Sequence, residues 1–114
     1  MLSPEHPATL SVRNNLARWT GRAGDPVAAR DQYAALVPAY ERILGLEHYK
    51  TLRARAELAY WTGQAGDAAG AREQLAVLLP IRERVLGPEH PDILTTRNNL
   101  TYWTGEMGGH ARLG

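Results

Sequence analysis

The chain has 114 residues, 44% hydrophobic and 22% charged, which suits one small domain and leaves no room for a second core. Thirteen Lys and Arg against twelve Asp and Glu give a net charge of +1, without the basic excess that a nucleic-acid binder uses to neutralise phosphates. The absence of cysteine excludes a disulfide framework, a thiol nucleophile and a Cys-ligated zinc. No apolar run nears the roughly 20 residues of a membrane span, and the opening MLSPEHPATL lacks the basic and apolar regions of a signal peptide. A soluble, cytoplasmic chain is therefore expected.

Internal repetition decides the architecture. Trp19, Trp61 and Trp103 stand 42 residues apart, in the contexts RWTGRAGD, YWTGQAGD and YWTGEMGG. The block QYAALVPAYERILG from Gln32 returns as QLAVLLPIRERVLG from Gln74. PEHPATL from Pro4 returns as LEHYKTL from Leu46 and PEHPDIL from Pro88. Such self-similarity marks stacked copies of one supersecondary unit. The copies run 4–45, 46–87 and, in part, 88–114, within a single domain 1–114.

The first helix is predicted from about Ala8 to Gly21. Leu10, Arg13, Leu16, Ala17, Thr20 and Ala23 share its inner face, and Trp19 borders them. The glycine-containing segment 21–25 stops it with a left-handed cap, Asp25 accepts the first amides of the next helix, and Pro26 takes the first helical position. The second helix is predicted from Pro26 to Leu44, with Ala29, Tyr33, Leu36, Val37, Ile43 and Leu44 as its apolar stripe and Gly45 as its stop. Pro38, repeated as Pro80, falls inside it, so either one kinked helix or two shorter helices are expected, the kinked helix being preferred. Two antiparallel helices cannot bury their apolar faces alone, whereas stacked pairs can. Two full units plus the first helix of a third give five helices in an all-α, right-handed α-solenoid.

The unit resembles a tetratricopeptide repeat of the 42-residue, kinesin-light-chain-like kind. The resemblance rests on Asn14-Asn15-Leu16-Ala17 with its echo Asn98-Asn99-Leu100, on the Gly24, Ala29, Tyr33 spacing, and on the long second helix ending ILGLEH or VLGPEH. Thr20, Thr62 and Thr104 depart from it, standing where the family usually has an aromatic residue. The resemblance implies a non-catalytic scaffold whose first helices line a concave groove for an extended peptide or a partner helix. Carried over by position, the groove residues are Ser11, Asn14 and Arg18, then Arg53, Ala56 and Tyr60, then Thr95, Asn98 and Tyr102. Asparagine pairs with a peptide backbone, arginine forks onto a carboxylate and tyrosine offers rigid amphipathic surface. The plainer reading of these positions is solvated helix surface.

His6, His48 and His90 recur in the inter-repeat turn. Successive rungs are too far apart for one metal to collect them, so a turn or capping role is expected and no metal site or cofactor is assigned. The three tryptophans are expected in the core between repeats rather than as stacking platforms. Glu41-Arg42 and Glu83-Arg84 read as exposed helix surface. No HExxH, GxSxG, GxGxxG or GxxxxGK motif occurs, so no catalytic residue is assigned and no enzyme is expected. Protein or peptide partners are expected, and neither nucleic acid nor membrane.

The ends suggest a second reading, self-association through uncapped terminal helices. Met1-Leu2-Ser3 aligns with the tail of a second helix, and Met107 to Gly114 drifts from the repeat, so a sixth helix is not expected. Leu94, Leu100 and Trp103 would then form a bare end face able to pair with another copy.

Overall fold

A computed structural model describes residues 5–113, with side chains described through Gly105. Five helices follow in order: α1 (Pro7–Arg22), α2 (Pro26–Leu44), α3 (Tyr49–Gln64), α4 (Ala68–Leu86) and α5 (Pro91–Leu113). There is no strand among the described residues. Each helix packs on the next along the chain, and α3 also touches α5. The shortest dimension, 18 Å, fits two helix layers. Alternating first and second helices thus form an open array, as the repeat predicts.

The repeated blocks are caps and stops. His6, His48 and His90 each stand just before a first helix, and each Nδ1 accepts the amide two residues on at 3.1 Å. This is the capping role expected of them. Asp25 and Asp67 cap α2 and α4 by accepting the amides of Ala28 and Gly70. Gly24 and Gly45 have φ of +106° and +98°, a region that only glycine enters freely, and they end α1 and α2. Pro38 and Pro80 lie inside continuous helices, so each second helix is one element rather than two. Helix α5 runs on to Leu113 through Gly108-Gly109, beyond the point where the sequence leaves the repeat. The alignment of Met1-Leu2-Ser3 with a helix tail lies outside the described residues.

Two clusters form the core. Leu10, Ala17, Tyr33, Leu36 and Tyr40 pack with Ala54 and Trp61 of the following copy. Leu52, Ala59, Leu75 and Leu78 pack with Trp103. Each cluster therefore spans a repeat boundary, which is what joins the units.

Several expected burial positions are corrected. Trp61 and Trp103 are buried, but Trp19 is 63% exposed and Leu16 is exposed beside it. The buried tryptophans each press on the glycine of the preceding first helix. A Cβ built on Gly21 would lie 2.4 Å from the Trp61 ring, and α1, the first described element, has no such glycine to meet. Trp19 instead lies under Arg22, whose Cζ is 5.4 Å from the ring centroid. Ala23 is exposed because it already belongs to the turn, and Ile43 faces outward while Ala39 and Tyr40 take the buried side of α2.

Candidate functional site

The first helices α1, α3 and α5 form one side of a cavity of about 860 Å³. Arg18, Arg53, Ala56, Tyr60 and Thr95, all carried over by position from the family resemblance, line it. A smaller hollow of about 250 Å³ adjoins it through Arg18, Tyr49 and Arg53, and is lined also by Ser11 and Asn14. Asn98 and Tyr102 are exposed but line neither cavity. In the third copy Asn99 and Thr95 face the large cavity instead. Tyr102 meets Trp103 edge-on at 4.6 Å.

Residues off the first-helix stripe complete the lining. Arg22 comes from the end of α1, Tyr49 from the start of α3, and Arg82 from α4. Arg82 occupies the repeat position of Tyr40, and only a comparison of the two second helices position by position would have found it. The Tyr40 hydroxyl donates to the Leu10 carbonyl at 3.2 Å, tying α2 to α1. Arg82 has no such tie. Its Nη1 donates to Thr96 Oγ1 at 2.9 Å, its Nη2 stands 4.0 Å from Asp92, and its buried Nε has no partner. Burial lowers its pKa, Asp92 opposes that shift and the neighbouring Arg53 charge adds to it.

Four arginines, Arg18, Arg22, Arg53 and Arg82, thus face the cavity against two carboxylates, Glu57 and Asp92. Glu57 is already engaged: it accepts the Trp61 indole N–H at 3.2 Å and pairs with Arg18 Nε at 3.5 Å. The site therefore carries an excess of positive charge over a partly apolar floor. Chemically it can hold a carboxylate-bearing chain in an extended form. No group of three or more His, Asp or Glu able to hold a metal occurs among the described residues.

The expected end face is corrected as well. Trp103 is buried and Leu100 packs on the second core cluster, because the Trp103 ring fills the space over Gly63. Of the three residues, Leu94 alone is exposed, and a charge placed at Trp103 would break the core rather than clear a surface.

Stacked helix pairs repeated along the chain define an all-α helical-repeat solenoid. The chain belongs to the tetratricopeptide repeat family, whose profile matches residues 9–49 and 51–92. Repeats of this family are generally non-enzymatic protein-interaction scaffolds. Among solved structures, the chain is similar to the nearly identical TPR-like repeats of a Podosopora anserina protein described as a kinesin light chain. The identity is 28% and the TM-score 0.86, covering 95% of this chain and 51% of that one. A variant of the same repeats aligns at 27% identity with a TM-score of 0.79, covering 97% of this chain and 52% of that one. The chain thus spans about half the length of these relatives. No curated protein matches it. No described helix is long and apolar enough to cross a membrane.

Proposed function

We propose that the concave face binds an extended, carboxylate-bearing peptide segment of a partner protein. The observation that carries this reading is Arg82, a guanidinium 5% exposed at the edge of the cavity, with its nearest carboxylate 4.0 Å away and its Nε unpaired. A buried cation so incompletely matched is costly, and an incoming carboxylate offsets that cost. Arg53, exposed on the same cavity, supplies a second fork, and Tyr49 and Tyr60 supply amphipathic surface for side chains beside the carboxylate.

The test is fluorescence anisotropy with three labelled ten-residue probes: one alternating Glu and Ala, its Gln isostere and its Lys counterpart. The Glu probe is expected to bind, to weaken as salt rises, and to lose about tenfold or more when Arg53 becomes Glu. Equal binding of the Glu and Gln probes, or an unchanged affinity in Arg53→Glu, would overturn the reading.

A further inference from the structure

The cations on the wall of the large cavity are all arginines. Arg18, Arg22, Arg53 and Arg82 face it against Glu57 and Asp92, an excess of two positive charges. Glu57 is engaged by Arg18 at 3.5 Å and by the Trp61 indole, and Asp92 stands 4.0 Å from Arg82. Among the described residues no carboxylate pairs with Arg53, and Arg22 lies over the Trp19 ring. The adjoining hollow brings Lys50 and no carboxylate.

The two units differ at one place on this wall. In the first, Tyr40 commits its hydroxyl to the Leu10 carbonyl at 3.2 Å and lines a hollow of about 250 Å³. In the second, Arg82 holds the same register and lines the cavity of about 860 Å³. It is 5% exposed, its Nε has no partner, and its Nη1 is held by Thr96 Oγ1 at 2.9 Å. The Thr96 bond fixes the guanidinium plane, so the fork is in place before a ligand arrives. Burial lowers the Arg82 pKa and, against the pull of Asp92, the Arg53 charge lowers it further. The two guanidiniums are thus neighbours that repel until an anion joins them.

One carboxylate brings a single charge and two acceptor oxygens to such a pair. A phosphate monoester brings about −1.5 to −2 charges at pH 7 and three acceptor oxygens, which matches the excess. Planar guanidinium forks suit phosphate in the bidentate mode. We propose that the peptide bound on the concave face carries a phosphorylated side chain, seated between Arg53 and Arg82. The proposal rests on the reading of that face as a peptide site and names the group its arginines select. A glutamate in the same place meets the same forks with less charge and binds more weakly. Docking is then switched by modification of the partner.

The experiment is fluorescence anisotropy with a ten-residue Gln-Ala peptide whose central residue is serine, glutamate, phosphoserine or phosphotyrosine. A phosphopeptide is expected to bind about tenfold or more tighter than the glutamate peptide, and the tighter of the two identifies the side chain. Inorganic phosphate should displace it more effectively than sodium chloride at matched ionic strength. Arg82→Tyr and Arg53→Gln should each remove most of that advantage, with helicity checked by circular dichroism. Arg53 is exposed, so its variant decides the matter if the buried Arg82 variant folds poorly. Phosphopeptides that bind no tighter than the glutamate peptide overturn the proposal. The peptide-site reading is judged separately, by the alternating Glu probe against its Gln isostere. An advantage kept in a variant of intact helicity also overturns the proposal, since the phosphate then sits elsewhere. So does an oligothymidylate that binds as tightly as the phosphopeptide, which would mark a nucleic-acid strand as the ligand.

Discussion

Trp19 and Trp61 occupy the same place in nearly the same words, RWTG and YWTG, yet one is 63% exposed and the other 6%. The difference is not in the helices that carry them, since both sit on a first helix capped by a histidine and stopped by a glycine turn. It lies in what precedes them along the array. Trp61 finds the bare backbone of Gly21, where the missing Cβ leaves room for the indole ring, and Trp19 finds solvent and Arg22. A repeat position is thus half an interaction, and its energy belongs to the junction. The second helices teach the same lesson from inside the array. Tyr33 and Tyr40 tie α2 to the carbonyls of Asn14 and Leu10, while Leu75 and Arg82 at those positions leave α4 without phenol ties and turn one residue toward the cavity.

The tryptophan contrast gives the largest expected effect. Trp61→Ala should cost about 3–5 kcal/mol, as removal of a buried indole does, whereas Trp19→Ala should stay within about 0.5 kcal/mol. Urea denaturation of the two variants checks this. Equal losses would mean that the junction does not set the energy.

The partner glycine offers a sharper cut at the same contact. Gly21→Ala gains about 1 kcal/mol of helix propensity, but its Cβ would lie within 2.6 Å of three atoms of the Trp61 ring, so a net loss of about 1–3 kcal/mol is expected. In a Trp61→Ala background the same change should become stabilising. That reversal is the coupling a double-mutant cycle reads directly.

Arg82→Tyr would make the second unit like the first, trading an incompletely paired buried charge for a hydroxyl in reach of the Leu52 carbonyl. A gain of about 1 kcal/mol in stability is expected, together with weaker binding of the Glu probe. A loss of stability with binding of the Glu probe unchanged would show that Arg82 is already well satisfied by Thr96 and Asp92.

The smallest effect concerns alkaline pH. Burial raises the pKa of both Tyr33 and Tyr40 above the ordinary 10.0, with the Glu57 charge adding to the shift at Tyr33. The unfolded chain ionises these phenols near pH 10 and the folded chain only at higher pH. Their contribution is therefore intact below pH 10 and is lost as pH climbs from there toward the folded values. Urea midpoints between pH 9 and 11.5 should fall, and Tyr33→Phe should flatten the slope at a cost of about 1 kcal/mol at neutral pH.

The array was legible in the sequence because repetition is written there directly. The 42-residue spacing of the tryptophans gives the number of units, and the Asp25 and Asp67 caps and the glycine stops act within a few residues, so the sequence suffices to predict five helices and the bounds of α1 and α2 to within a residue, though not the run of α5 to Leu113. Part of the candidate site was legible through the family resemblance: Ser11, Asn14, Arg18, Arg53, Ala56, Tyr60 and Thr95, carried over by position, line the two hollows, whereas Asn98 and Tyr102 do not. What register alone did not reveal was which copy of a repeated residue finds its partner. Trp19 and Trp103 read alike but differ in exposure, Leu94 reads like Leu10 but is bare, and Arg82 reads as one more arginine on a helix surface. Those outcomes depend on the neighbouring unit. Helix formation is settled over four residues, whereas burial is settled by whichever surface stands opposite, and that only the tertiary structure decides.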